Sequence, residues 1–272
     1  MSRTHPAPST PSPDADPHAA ALRAGRGRTW WPMLAAAVLN AVLILLVWRA
    51  LPTLHEQIPT HWDAAGRPDA WEPTNLGTAA AVPLIGLGMT VVLTGVLALI
   101  RRFVAAYGPA DPSTWRRFQA EGTARAVTLL LGWICLGTAL FGVEATWSVP
   151  ADGAGTGRWW AMPLLITLVT AVALFGLGPL TAGQHRRMAE RARAAGIHPT
   201  AEEEAEDARW TATGLLDDPS VPEVLVSKRP GYGMGLTINV GTRVGRVLVV
   251  GFVAAVGVLL PAGLWAAALA AR

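Results

Sequence analysis

The densest group of side chains able to do chemistry lies between residues 51 and 77, where His55, Glu56, His61, Asp63, Asp69 and Glu72 follow one another closely. Imidazole and carboxylate ligands together suit a divalent cation, but their spacing fits no established metal loop. His55-Glu56 opens like a zinc-protease helix, which needs its second histidine four residues after the first. The next histidine is His61, and Pro59 interrupts a helix there. The chain is therefore read with no metal site, no cofactor and no catalytic residue. The third reading is a structural cap. Ile58-Pro59 is an extended dipeptide and Ala65-Gly66-Arg67-Pro68 a turn. Asp and His side chains would bond turn backbone, and Trp62 and Trp71 would cover the elements beneath. Such a cap also serves as a ligand-contacting surface.

The elements that must position this loop are apolar. Of 272 residues, 51% are hydrophobic and 15% charged, and the mean hydropathy is +0.35. A soluble domain carries about 25% charged residues. The apolar residues come in long blocks rather than at helical or strand period, and five blocks approach the length of about 20 residues that a span needs. They are Trp30–Trp48, Ala79–Ile100, Ala126–Trp147, Trp159–Leu180 and Val247–Leu269. Twelve Trp against two Tyr, many at block ends, suit the headgroup level, where an apolar ring keeps a wet N–H. The expected fold is an all-α membrane bundle of five transmembrane helices, multi-pass in the cell membrane. Residues 1–29 read as a disordered tail rich in Pro and Ala, with the first block an uncleaved anchor. Two spans with their loop (30–100), two further spans (101–180), a helix plus small hairpin segment (181–246) and a last span (247–272) complete the organisation.

Charge gives the bundle a direction. Segments 1–29, 101–125 and 181–246 hold eighteen Lys and Arg, and the alternate loops hold four. The positive-inside rule then sets the N-terminus inside and the C-terminus outside, with residues 51–77 outward. Basic residues scattered over loops argue against nucleic acid as a partner. Lone Cys135 supports neither a disulfide nor a zinc site. Charges and amides within spans are functional candidates by default. Glu144, near the outer face, is placed to pair with Arg49 or Arg158. Asn40, mid-span, is expected to find an interhelical partner.

Two resemblances attach to these residues. Leu51-Pro52, Ile58, Pro59, His61, Trp62, Asp63, Gly66, Pro68 and Asp69 resemble the loop of the bacterial membrane domain of unknown function numbered 1648. Its pattern is a helix end, L-P, then I-P-x-H, an aromatic, Asn or Asp, and G-x-P-D. A Lys usual in that family just afterwards is replaced here by Glu72-Pro73-Thr74-Asn75. The domain occurs in the SdpI-like group, which includes immunity factors against secreted peptide toxins, and this implies an outward sensing or protective role.

The second resemblance lies in the 181–246 segment, after a basic helix-prone stretch from Gln184 to Ala195 and the acidic run 202–207. Trp210, Gly214, Asp218, Pro219, Val226, Lys228, Arg229, Gly231, Gly233, Thr237 and Asn239 resemble the small domain of unknown function numbered 5808. Turns at 217–219 and at Pro230-Gly231 would separate short strands. The G-x-G-x-G at 231–235 lacks the spacing and the helix of a dinucleotide loop. It reads as a turn re-entering the membrane, with Lys228 and Arg229 near anionic headgroups.

The expectation is a membrane protein of sensor or immunity type, engaging a secreted peptide or envelope component and possessing no enzymatic activity. Its partners are the bilayer, that ligand and a cytoplasmic regulator. The alternative is a small transporter or transporter accessory, against which stands the absence of visible inverted repeats.

Overall fold

The computed structural model describes residues 18–62, 68–107, 113–147, 160–229 and 235–270. It is mostly helical, and five helices are long and apolar enough to cross a membrane. The first apolar helix is α2 (Trp31–Ala50), extended by a 3-10 turn at Leu51–Thr53 where Pro52 ends the regular ladder. A hairpin of β1 (Gln57–Trp62) and β2 (Pro68–Pro73) follows, then a one-turn helix, α3 (Leu76–Ala79), and α4 (Ala81–Tyr107). The third and fourth apolar helices are α5 (Thr114–Trp147) and α6 (Ala161–Ala194). After α7 (Ala201–Asp207) come β3 (Leu225–Ser227) and β4 (Leu236–Ile238). The last apolar helix is α8 (Arg243–Ala254) and α9 (Leu260–Ala270), joined by a π-helical stretch at Ala255–Leu259. Pro261 has no N–H to offer the preceding turn, and the widened π turn absorbs that loss.

The third apolar helix is the centre of the bundle. It buries 39% of its most apolar window, against 6% for the fourth and fifth, and it packs on α2, α4 and α6. The outer faces stay apolar: Leu34 and Val38 on α2, Ile85 and Val92 on α4, Val247 and Val250 on α8 are all exposed. That surface is what hydrocarbon would solvate. Both α5 and α6 have 34 residues, which at about 1.5 Å each reach about 51 Å. A hydrocarbon core needs about 30 Å. Their apolar blocks lie at 126–147 and 161–180, so the surplus turns project together at the end bearing residues 101–125 and 181–194, hereafter the basic end.

The chain entering the bundle is more ordered there than its composition implies. Within the expected disordered tail, α1 (Ala19–Arg23) and a 3-10 turn at Gly27–Trp30 dock against the projecting helices. Leu22 is buried in a cluster with Trp115, Phe118, Met188 and Ala192. Polar anchoring converges on Glu121 of α5. Its carboxylate takes two hydrogen bonds from the Arg26 guanidinium, at 2.9 and 2.8 Å, and one from Arg125 Nε at 2.8 Å. Arg101 of α4 stands 3.9 Å away. Arg125 also donates to the Leu22 carbonyl at 2.7 Å. Arg101 donates to the Ala124 carbonyl and the Thr128 hydroxyl, each at 3.1 Å, while its Nε is buried without a partner among the described residues. Arg191 of α6 donates to the Ala24 carbonyl at 2.6 Å. One carboxylate thus ties three segments together.

Asn40 is 1% exposed, but its amide donates within its own helix, to the Ala36 carbonyl at 2.9 Å. The interhelical relation expected from the sequence is packing: a Cβ built on Gly86 of α4 would meet Asn40 Oδ1 at 2.7 Å. Glycine at 86 lets α4 close over the amide. The Glu144 side chain, Arg158 and Asp63 lie outside the described residues, so the expected Glu144 pairing is not placed.

Truncating Glu121 leaves two enclosed guanidinium groups without their shared counter-ion. Glu121→Ala is expected to cost about 3–5 kcal/mol in detergent-solubilised protein. Arg26→Ala, whose partner-side charge is half in water, should cost about 1 kcal/mol or less. Equal losses in thermal unfolding would contradict the hub. Gly86→Ala is expected to destabilise by about 1–3 kcal/mol, and most of that loss should disappear in an Asn40→Ala background. Additive losses in that cycle would show that the two residues do not touch.

Candidate functional site: the exposed hairpin and a cavity at the basic end

The hairpin joins the first two apolar helices at the end opposite the basic one. Its base is fixed by hydrogen bonds that the local sequence supplies. Thr74 N donates to the Glu56 carbonyl at 2.9 Å, and the Thr74 hydroxyl to the His55 carbonyl at 2.5 Å. Asn75 and Thr78 form a reciprocal cap that starts α3, and Ile58 is 6% exposed. Above the base the register runs Gln57↔Pro73, Ile58↔Glu72, Pro59↔Trp71, then slips so that His61 pairs Ala70 and Trp62 pairs Pro68. Thr60 is an extra residue on β1 and Asp69 one on β2, two irregularities of the bulge kind, and bulges re-aim the side chains around them. His61 Nδ1 lies 2.5 Å from Asp69 Oδ1, with the two side chains 70% and 46% exposed. Trp71 is 44% exposed. Asp63 and Gly66 fall outside the described residues.

Short strands form in the segment from Trp210 to Asn239 around the turn expected at 217–219, while the turn expected at Pro230-Gly231, and Gly233 with it, lie outside the described residues. β3 and β4 pair antiparallel, Leu225↔Ile238 to Ser227↔Leu236. Trp210 forms no full strand; it makes a single bridge to Leu216, which bridges in turn to Asn239. Asn239 is fully buried and all its amide valences are used. Oδ1 accepts from Asp218 N (3.2 Å) and Gly241 N (2.9 Å), while Nδ2 donates to the carbonyls of Asp218 (2.9 Å) and Val221 (2.8 Å). Asp218 closes its own turn by accepting from Ser220 N at 2.8 Å and from the Ser220 hydroxyl at 2.6 Å, with Arg209 at 2.6 Å. Pro219 sits at the exposed corner of that turn. Gly245, in the first turn of α8, leaves no room for a side chain: a Cβ there would stand 1.9 Å from the Asn239 carbonyl oxygen. Asp218, Pro219 and Asn239 are therefore architectural, while Lys228 and Arg229 turn toward the helices.

The acidic run does not pair with the basic stretch of α6, the pairing its charges invite. It docks across the start of α5 and onto Arg229. Arg116 donates to Glu206 at 2.7 Å, Trp115 Nε1 to Asp207 at 3.1 Å, Ser113 to Glu203 and Arg229 to Asp207. Burial pushes the Glu203 carboxyl up, but hydrogen bonds from Ser113 and Thr200 and the nearby Arg116 outweigh it and hold the group below its ordinary value.

Between the projecting helices and this unit lies a cavity of about 690 Å³. Two facing ladders at four-residue spacing wall it: Trp115, Gln119, Thr123 and Val127 on α5, and Leu177, Thr181, His185, Ala189 and Arg193 on α6. Thr123 Oγ1 and His185 Nε2, 2.8 Å apart, join the ladders. The third wall is Trp210–Gly214 with Lys228 and Arg229. Sequence reading passed over this site because its span ended at Leu180. The signal was present as polar residues recurring every fourth position on two helices.

Residues 35–87 match the domain of unknown function DUF1648. The match covers most of α2, the hairpin strands and the start of α4, so the motif residues Ile58, Pro59, His61, Trp62, Pro68 and Asp69 lie on the strands within it. No curated protein and no solved structure matches the chain. Among the described residues no group of three or more His, Cys, Asp or Glu is arranged to hold a metal ion.

Because Glu203 is held below its ordinary value, its stabilisation of the α7 docking is present above the usual carboxylate range and is lost as pH falls through the lowered value. Amide protection factors in residues 201–207, which remove the intrinsic pH dependence of exchange, should fall on acidification below that range, and Glu203→Gln should flatten the response. Protection that falls identically in both proteins would contradict the assignment.

Proposed function

We propose that the chain is a multi-pass cell-membrane protein of sensor or immunity type, N-terminus in the cytoplasm and C-terminus outside. Its outward hairpin engages a secreted peptide or another envelope component. One observation carries this reading: a hydrogen-bonded pair, His61–Asp69, stands with both side chains exposed on a hairpin whose base is hydrogen-bonded in place. A polar pair exposed to water contributes little to stability, so its placement there suits recognition better than folding. Rigid presentation lowers the ordering cost of binding, and Trp71 beside it offers the large amphipathic surface that binding sites favour. The distribution of Lys and Arg, eighteen against four, supports the orientation. On this reading the Trp210–Asn239 unit, at the other end, is where a cytoplasmic regulator docks, and the chain has no enzymatic role.

A photo-crosslinker at position 71 in intact cells should trap a secreted peptide. His61→Ala and Asp69→Ala should each lower the yield about tenfold, the effect of one lost charge-assisted hydrogen bond, at unchanged abundance in the membrane. Yields unmoved by both substitutions would sink the proposal. A reporter fused after Arg272 should be active only outside the cytoplasm, and cytoplasmic activity would refute the orientation.

A further inference from the structure

The cavity at the basic end has a graded lining. Its deepest residues, Val127 and Leu177, are apolar and belong to the blocks that suit hydrocarbon. Hydroxyls of Thr123 and Thr181 and the His185 ring follow one turn nearer the basic end. Around the mouth stand Arg186, Arg193 and Lys228, all exposed, with Glu190 the nearby carboxylate. Asp207, the other acidic lining residue, is engaged by Arg229 and by the Trp115 indole. Three cations against one carboxylate leave the mouth positive. The volume, about 690 Å³, lies in the range of about 300–1,000 Å³ that small-molecule sites occupy.

We propose that this cavity binds a phosphate carried on an apolar body, with the phosphate at Lys228, Arg186 and Arg193 and the apolar portion against Val127 and Leu177. The level of the cavity, where the apolar blocks of α5 and α6 give way to their polar extensions, is the headgroup level of a bilayer. Basic pockets between membrane helices on the cytoplasmic side hold anionic lipid headgroups, and the basic end lies on that side in the orientation proposed above, on which this inference rests. An anionic phospholipid of the adjoining leaflet is the source that satisfies both ends of the gradient. A soluble phosphate ester satisfies only the mouth. The inference is independent of what the hairpin binds. Its consequence is that the Trp210–Asn239 unit senses membrane composition, because Lys228 belongs to that unit and the two ladders to the bundle.

The test uses the full chain, delipidated in a neutral maltoside detergent, with thermal unfolding followed as ligands are added. Short-chain phosphatidylglycerol a hundredfold above its Kd should raise the midpoint by about 5–10 °C, and short-chain phosphatidylcholine should raise it far less. Glycerol phosphate distinguishes the sources: no shift identifies the lipid, whereas a shift equal to that of phosphatidylglycerol keeps the phosphate site and assigns it to a soluble ester. Lys228→Gln with Arg186→Gln should weaken the apparent affinity at least tenfold without moving the unliganded midpoint, since both side chains are exposed. Arg28→Gln, an exposed cation at the same end but outside the cavity, should change nothing. Equal stabilisation by phosphatidylcholine and phosphatidylglycerol would overturn the proposal. So would an affinity that the paired substitution leaves intact, or one that Arg28→Gln lowers as much.

Discussion

Burying one carboxylate among three guanidinium groups sets the geometry of the basic end. Glu121 lies on α5 between Gln119 and Thr123, so whatever fixes its rotation also fixes that wall of the cavity. Charges withdrawn from water cost more than their attraction returns unless the remaining donors find acceptors. Here Arg125 supplies a donor to the Leu22 carbonyl, and Arg101 reaches the Ala124 carbonyl and the Thr128 hydroxyl but leaves its Nε unmatched among the described residues. The same rotation of α5 presents Trp115 to Asp207 and Arg116 to Glu206. Helix docking, tail docking and the seat of the small β unit all follow from that one orientation.

How much of this was legible in the sequence differs by region for physical reasons. Hydrocarbon demands long uniform blocks, so the five apolar helices were read to within a few residues at most ends. In the loop the extended Ile58-Pro59 dipeptide was readable because proline restricts the backbone locally, but the β-hairpin was not, and most of the turn expected at 65–68 lies outside the described residues. The His61–Asp69 pair was not derivable, since register shifts at Thr60 and Asp69 decide which side chains meet. Likewise α6 was cut short at Leu180. Composition marks where lipid stops, not where a helix stops, and Pro179 is tolerated within it. Residues 18–29 of the expected disordered tail are ordered because their few apolar side chains, Leu22 above all, suffice once arginines lock the segment down; residues 1–17 lie outside the described residues.

The acidic run illustrates the same limit. Opposite charges close in sequence invite a pairing with the basic stretch of α6, but residues 195–200 turn the chain so that the run faces α5 instead. Thr200 caps α7 and Glu203 returns the bond, which fixes which carboxylates point at Arg116 and Arg229. Local capping chemistry, rather than net charge, selects the partner.

Asn239 and Gly245 couple the small β unit to the last apolar helix. Asn239 ties Asp218, Val221 and Gly241 together, and its carbonyl oxygen presses against the first turn of that helix, where a Cβ on Gly245 would not fit. A tilt or shift of the helix start therefore moves the turns that Asn239 holds, and the two behave as one mechanical part.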